Sequence, residues 1–96
     1  MIVAVLTVDL AIPDARSLKD KRRAIAGLKQ KLRNRFNVSV AEVEYTDTPK
    51  RCRLAVAMVS HSEGGSAPIH SQLDKIVDLV RRTAQVSLLE YKREFL

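Results

Sequence analysis

Leu54-Ala55-Val56-Ala57-Met58-Val59-Ser60 alternates as a strand does, yet both of its faces are apolar. Leu54, Val56 and Met58 point one way, and Ala55, Ala57 and Val59 point the other. A second stretch behaves similarly. In Ile2 to Leu10 the residues Leu6, Val8 and Leu10 oppose Thr7 and Asp9, while Val3 and Val5 keep the second face apolar at its beginning. Two such strands belong side by side in the middle of a sheet, and the remaining segments must supply its edges and its cover.

Upstream of Leu54, Thr46-Asp47-Thr48-Pro49 reads as a turn, and Val38 to Tyr45 as an edge strand in which β-branched residues alternate with Ser39, Glu42 and Glu44. Before it lies a helix. Ser17 with Asp20 three residues on resembles a capping box, so the helix starts at about Leu18. Leu18, Ile25, Leu28, Leu32 and Phe36 then fall within roughly 80° of one another at about 100° per residue, giving one buried stripe that ends near Arg35. Asn37 is placed to take a left-handed turn after it. Downstream of Ser60 comes a polar, glycine-containing loop to Gly65. Ser66, with Pro68 in the first turn, announces a second helix carrying Ile69, Leu73, Ile76, Val77 and Val80 and ending near Thr83. Val86 to Leu96 is a last strand whose alternation falters at Leu88 and Leu89.

The order strand, helix, strand, strand, helix, strand predicts an α+β fold of ferredoxin-like topology: a βαββαβ sandwich with two helices on one face of a four-stranded antiparallel sheet. Right-handed crossovers place the first and third strands in the centre. The 96 residues, 46% apolar, are read as a single domain, 1–96. Val3, Val5, Ala55, Ala57 and Val59 are left on the uncovered face. A patch of that kind packs against something, and a homodimer is the economical occupant, the alternative being cover by the long C-terminal strand.

Cys52 is the only cysteine, which fits a reducing compartment and points to the cytoplasm. Met1 to Leu6 is apolar but lacks a charged lead-in or a small-residue cleavage site, so it is read as a core strand. No stretch approaches the ~20 apolar residues of a membrane span, and no membrane role is expected.

Chemistry is sparse. His61, His70 and Cys52 show no metal-ligand spacing, and Ser60-His61-Ser62 are neighbours on a loop instead of a nucleophile with its base. Glu63-Gly64-Gly65-Ser66 lacks the spacing and the lysine of a phosphate loop, and no cofactor signature is present. Glu42 and Glu44 are expected on one face of an edge strand, where charge discourages aggregation. Ala11-Ile12-Pro13-Asp14-Ala15-Arg16 has none of the glycines of an acylphosphatase-like turn. Aromatics make up 4% of the chain, too few for the stacking platform of an RNA-recognition motif, and no GxxG loop supports a KH module. A non-enzymatic protein is the expectation.

What stands out is charge. The net +6 is concentrated: residues 16–35 hold nine Lys and Arg against Asp20 alone, making that segment +8 and the remainder −2. Lys19, Arg22, Arg23, Lys29 and Arg33 lie within an arc of about 120° and over roughly 20 Å of helix axis, a ribbon suited to phosphates, with Arg35 and Lys31 on the opposite flank. Lys21 projects between Leu18 and Ile25 on the apolar side. It is expected to pack its stem there and carry its ammonium outward, joining the RNA-binding set Lys19, Lys21, Arg22, Arg23, Lys29, Arg33 and Arg35.

Ser17-Leu18-Lys19-Asp20-Lys21-Arg22-Arg23, followed by Leu32-Arg33-Asn34-Arg35-Phe36-Asn37-Val38-Ser39-Val40-Ala41-Glu42-Val43, resembles the YlxP-like proteins, a bacterial domain-of-unknown-function family. The resemblance implies a ferredoxin-like domain. It also implies a gene set between those of a translation initiation factor and a ribosome-binding factor, and hence ribosomal RNA or the small ribosomal subunit as partner. A dimeric ligand-binding or regulatory module is the alternative.

Overall fold

The computed structural model describes residues 1–61 and 67–96. Among these the elements run β1 (Ile2–Ala11), α1 (Leu18–Arg35), β2 (Ser39–Glu44), β3 (Arg51–Ser60), α2 (Ala67–Arg82) and β4 (Ser87–Phe95). The sheet order is β2-β3-β1-β4, with every neighbouring pair antiparallel, so the two strands apolar on both faces are the central ones. This is the ferredoxin-like α+β arrangement anticipated from the chain.

Register makes the core. Val5 lies opposite Ala57 and Leu6 opposite Val56, so the even-numbered residues of both strands, from Ala4 to Leu10 and Cys52 to Met58, face the helices and are fully or nearly buried. Ile25, Leu28 and Leu32 of α1 and Ile69, Leu73, Ile76, Val77 and Val80 of α2 close over them. With no Trp and few rings, this interior is interlocked aliphatic side chains, where each methylene removed is felt.

Local signals were obeyed at the start of α1 and overridden at its end. Ser17 Oγ accepts from the Asp20 N–H at 3.1 Å, and Asp20 Oδ2 accepts from the Arg16 N–H at 2.9 Å, one residue before the position of a strict capping box. Asn37 does not take the left-handed turn. The helix is capped by Phe36 in an extended conformation, its N–H donating to the Leu32 carbonyl, because Phe36 packs on the core and draws the chain straight into β2. Among the described residues the non-glycine positions with left-handed backbone are Tyr45 (φ 64°) and Gln85 (φ 74°), in the β2–β3 and α2–β4 connections.

Two irregularities reset which side chains face where. Between Glu42 and Glu44 the β2–β3 register shifts, pairing Glu42 with Leu54 and Glu44 with Arg53. The two carboxylates are therefore not on one face: Glu42 turns to the helices and Glu44 to the open face. In β4 the shift falls at Leu88–Leu89, where alternation had faltered. Leu88 stays against the core, and Leu89 is the extra, exposed residue. Beyond it Tyr91, Arg93 and Phe95 face α2, where Arg93 bonds Asp74 and His70 and the His70 and Phe95 rings meet at 4.9 Å. β3 begins at Arg51, three residues before its apolar run, because Arg51 and Arg53 still pair with Ala11 and Asp9. The readings placed on Ser62, Glu63, Gly64, Gly65 and Ser66 lie outside the described residues.

Candidate nucleic-acid interface

Helix α1 presents the ribbon as expected in one respect. Lys19, Arg22, Arg23, Arg33 and Arg35 are exposed and Lys29 is half-buried, with Lys31 exposed on the far flank. Among the described residues none of these seven forms an ion pair, whereas Arg53, Arg82, Lys92 and Arg93 elsewhere are each paired with a carboxylate. Two are partly engaged by backbone: Arg22 Nε donates to the Leu18 carbonyl at 3.4 Å, and Arg33 donates to the Val40 carbonyl of β2 at 3.1 Å. The latter stitches the end of the helix to the edge strand.

Lys21 is the correction. Its side chain does not carry its charge outward. The residue is 1% exposed, and the three N–H groups of its ammonium are shared among four acceptors: Glu42 Oε2 at 2.8 Å, the Tyr45 carbonyl at 2.7 Å, and the Thr46 and Arg51 carbonyls at 3.3 and 3.4 Å. The regular register of β2, which keeps Glu42 on the helix-facing side with Val40, delivers its carboxylate to that point, and the left-handed turn at Tyr45 aims the turn's carbonyls there. A buried ammonium must be paired and hydrogen-bonded, so Lys21 staples the β2–β3 turn to the first turns of α1 and is removed from the phosphate-facing set. Cys52 shares this corner. Burial, followed by the Glu42 charge and hydrogen bond, pushes its thiol up to about 12, so it is a neutral core group.

Between α1 and β2, beside the staple, is a slot of about 250 Å³ lined by Lys21, Arg22, Ile25, Ala26, Lys29 and Glu42. Its wall is aliphatic and its rim cationic.

The opposite face of the sheet carries a cluster that linear reading missed. Arg53 bridges Asp9 (Nε to Oδ1, 2.5 Å) and Glu44 (2.6 Å), and the Arg51 and Arg53 guanidinium carbons sit 4.8 and 5.4 Å from the Tyr45 ring centroid. The hydrogen bond from Arg53 holds the Asp9 carboxyl below its ordinary range. Asp9, Glu44 and the two arginines come from three strands and Tyr45 from the connection after β2, so they meet through antiparallel register and no local spacing announces them. On the same face Val3, Val5, Ala55 and Ala57 are half-buried, and Val59 is 61% exposed. β4 does not cover them: it lies beside β1, and the Leu96 N–H continues that pairing to the Val3 carbonyl.

No helix among the described residues is long and apolar enough to cross a membrane. Over 51 residues the chain is 43% identical to a protein of Bacillus subtilis (strain 168) described as "Uncharacterized protein YlxP". The match covers 53% of this chain and 55% of that protein, so the chain spans about half the length of the curated relative it matches. A family model described as "Protein of unknown function (DUF503)" matches residues 3–93. The family model over nearly the whole chain and the likeness to the Bacillus protein agree with the resemblance carried by the SLKDKRR start of α1 and its passage into β2: the chain is a YlxP-like member of the DUF503 family.

Proposed function

We propose that this protein is a non-enzymatic accessory factor of the cytoplasm that docks on RNA, with the small ribosomal subunit as its target, through the outer surface of α1. The observation that carries the reading is the grouping of unpaired cations on one face of α1. Arg53, Arg82, Lys92 and Arg93 elsewhere have carboxylate partners and other unpaired cations, such as Lys50, Lys75 and Arg81, are scattered, while Lys19, Arg22, Arg23, Lys29 and Arg33 share one side of one helix with no carboxylate partner among the described residues. Unneutralised cations on a single face raise the local field and favour phosphate by releasing its counterions. The +8 of residues 16–35 falls to +7 on the exposed surface once Lys21 is counted with Glu42. Such contacts fix position on RNA and leave discrimination to its shape.

Co-sedimentation with purified small ribosomal subunits tests this. Wild type is expected in the subunit pellet at low salt and released as salt rises. A Lys19→Glu/Arg22→Glu/Arg23→Glu variant is expected to stay in the supernatant while keeping its far-ultraviolet circular dichroism. A variant that pellets as the wild type does would sink the reading.

The uncovered sheet face favours a second reading, a homodimer through Val3, Val5, Ala55, Ala57 and Val59 serving as a ligand-binding or regulatory module. A monomer mass by sedimentation equilibrium at micromolar concentration removes it.

A further inference from the structure

The slot between α1 and β2 has three kinds of surface in one place. One wall is aliphatic, from Ile25 and Ala26. The rim is cationic, from Arg22 and Lys29, neither ion-paired among the described residues. The floor is the Lys21–Glu42 pair, in which the ammonium is spent on four acceptors but the carboxylate side chain keeps 20% of its surface open. Its volume of about 250 Å³ sits just under the roughly 300 Å³ at which pockets for drug-sized ligands begin.

The geometry points to one unstacked nucleobase of single-stranded RNA as the occupant, an inference that rests on the RNA-docking reading and names what the helix reads. A flat ring lies against Ile25 and Ala26. The open edge of Glu42 accepts hydrogen bonds from ring and exocyclic N–H groups, as carboxylates do at base edges. The guanidinium of Arg22, anchored by its bond to the Leu18 carbonyl, and the Lys29 ammonium neutralise the phosphates on either side of the inserted base. Few other ligands bring a planar face, N–H donors and flanking negative charge together. Proteins that read RNA sequence do so mainly on splayed-out bases, held against aromatic rings or arginine planes.

The lysine staple gives the slot its rigidity. Because Lys21 fixes β2 to α1 on one side and Arg33 bonds the Val40 carbonyl on the other, the two walls are held apart without a ligand. A preformed site loses little order on binding.

The test reads fluorescence anisotropy at low salt with a labelled octaribonucleotide, the same backbone with abasic ribose throughout, and nucleoside monophosphates as competitors. Wild type is compared with Ala26→Leu, which fills the slot from an exposed position with a good helix former. Wild type is expected to prefer the base-bearing strand about tenfold, within the range of one good base-edge contact. Ala26→Leu is expected to lose that preference while holding the abasic strand as wild type does. Equal affinity of wild type for both strands overturns the slot and leaves the RNA reading standing. A base preference that survives in Ala26→Leu overturns it by placing base contact elsewhere. A nucleoside monophosphate as tight as the octanucleotide assigns the slot to free nucleotides instead. A glutamate-rich peptide that displaces the strand from wild type but not from Ala26→Leu assigns it to an acidic chain. Binding to neither strand fells the RNA reading and this inference with it.

Discussion

Replacing Lys21 with Met keeps the stem's volume and removes the ammonium. Glu42 Oε2 then loses its partner, and the Tyr45, Thr46 and Arg51 carbonyls lose a donor in a corner where Lys21 is 1% exposed. Breaking a buried pair by removing one partner costs about 3–5 kcal/mol; because the Glu42 side chain remains 20% exposed and water reaches it, the lower end, about 3 kcal/mol, applies. A domain of this length has a stability on the order of 5–14 kcal/mol, so the loss is a large share of it, and a midpoint fall of about 12–24 °C follows. Urea unfolding followed by circular dichroism measures it. Lys19→Met, on the exposed side of the same helix turn, is the control and is expected within about 0.5 kcal/mol of wild type. Adding Glu42→Leu to Lys21→Met removes the stranded carboxylate and is expected to restore about 2 kcal/mol, which a double-mutant cycle isolates. Lys21→Met within about 1 kcal/mol of wild type would refute the staple.

Cys52 is expected to resist alkylation in the folded protein and to react only on unfolding. Since its folded pKa of about 12 stands above the ordinary value of 9.0, its contribution to stability is complete below pH 9 and is lost as pH rises toward 12, and Cys52→Ala is expected to blunt that alkaline limb. Asp9, whose carboxyl the Arg53 hydrogen bond lowers, contributes stability above the ordinary carboxylate range that is lost as pH falls through its lowered pKa; Asp9→Asn is expected to flatten the acid limb of the pH–stability profile, and an unchanged limb would place the acid sensitivity elsewhere. Leu32→Ala, fully buried under α1, is expected to cost about 2–5 kcal/mol in the same denaturant assay, and a loss below about 1 kcal/mol would mean that α1 packs loosely.

Element order, the central position of β1 and β3 and the buried stripe of α1 were legible because they depend on periodicity, which a linear chain displays directly. What escaped depends on register. Glu42 and Glu44 share a face in any unbroken strand, and only the bulge between them, set by pairing with Leu54 and Arg53 far along the chain, turns Glu44 to the open face and leaves Glu42 alone on the helix side with Lys21. Lys21 itself read as an apolar-side lysine that must snorkel, because its acceptors come from the β2–β3 turn and from Glu42, more than twenty residues away. Asn37 was outvoted by Phe36, whose packing fixed the exit of α1. The cation ribbon was legible in its charge and spacing. That its members lack carboxylate partners among the described residues was not, since pairing is a property of the folded surface.

The salt dependence of binding to small-subunit RNA tests the central proposal most directly. If the five cations Lys19, Arg22, Arg23, Lys29 and Arg33 neutralise phosphates, the logarithm of the association constant falls against the logarithm of salt with a slope of roughly −3.5 to −4.5, and Lys19→Glu/Arg22→Glu/Arg23→Glu shallows it by roughly 2–3. A wild-type slope near zero, or one that the variant leaves unchanged, would contradict the docking of α1 on RNA.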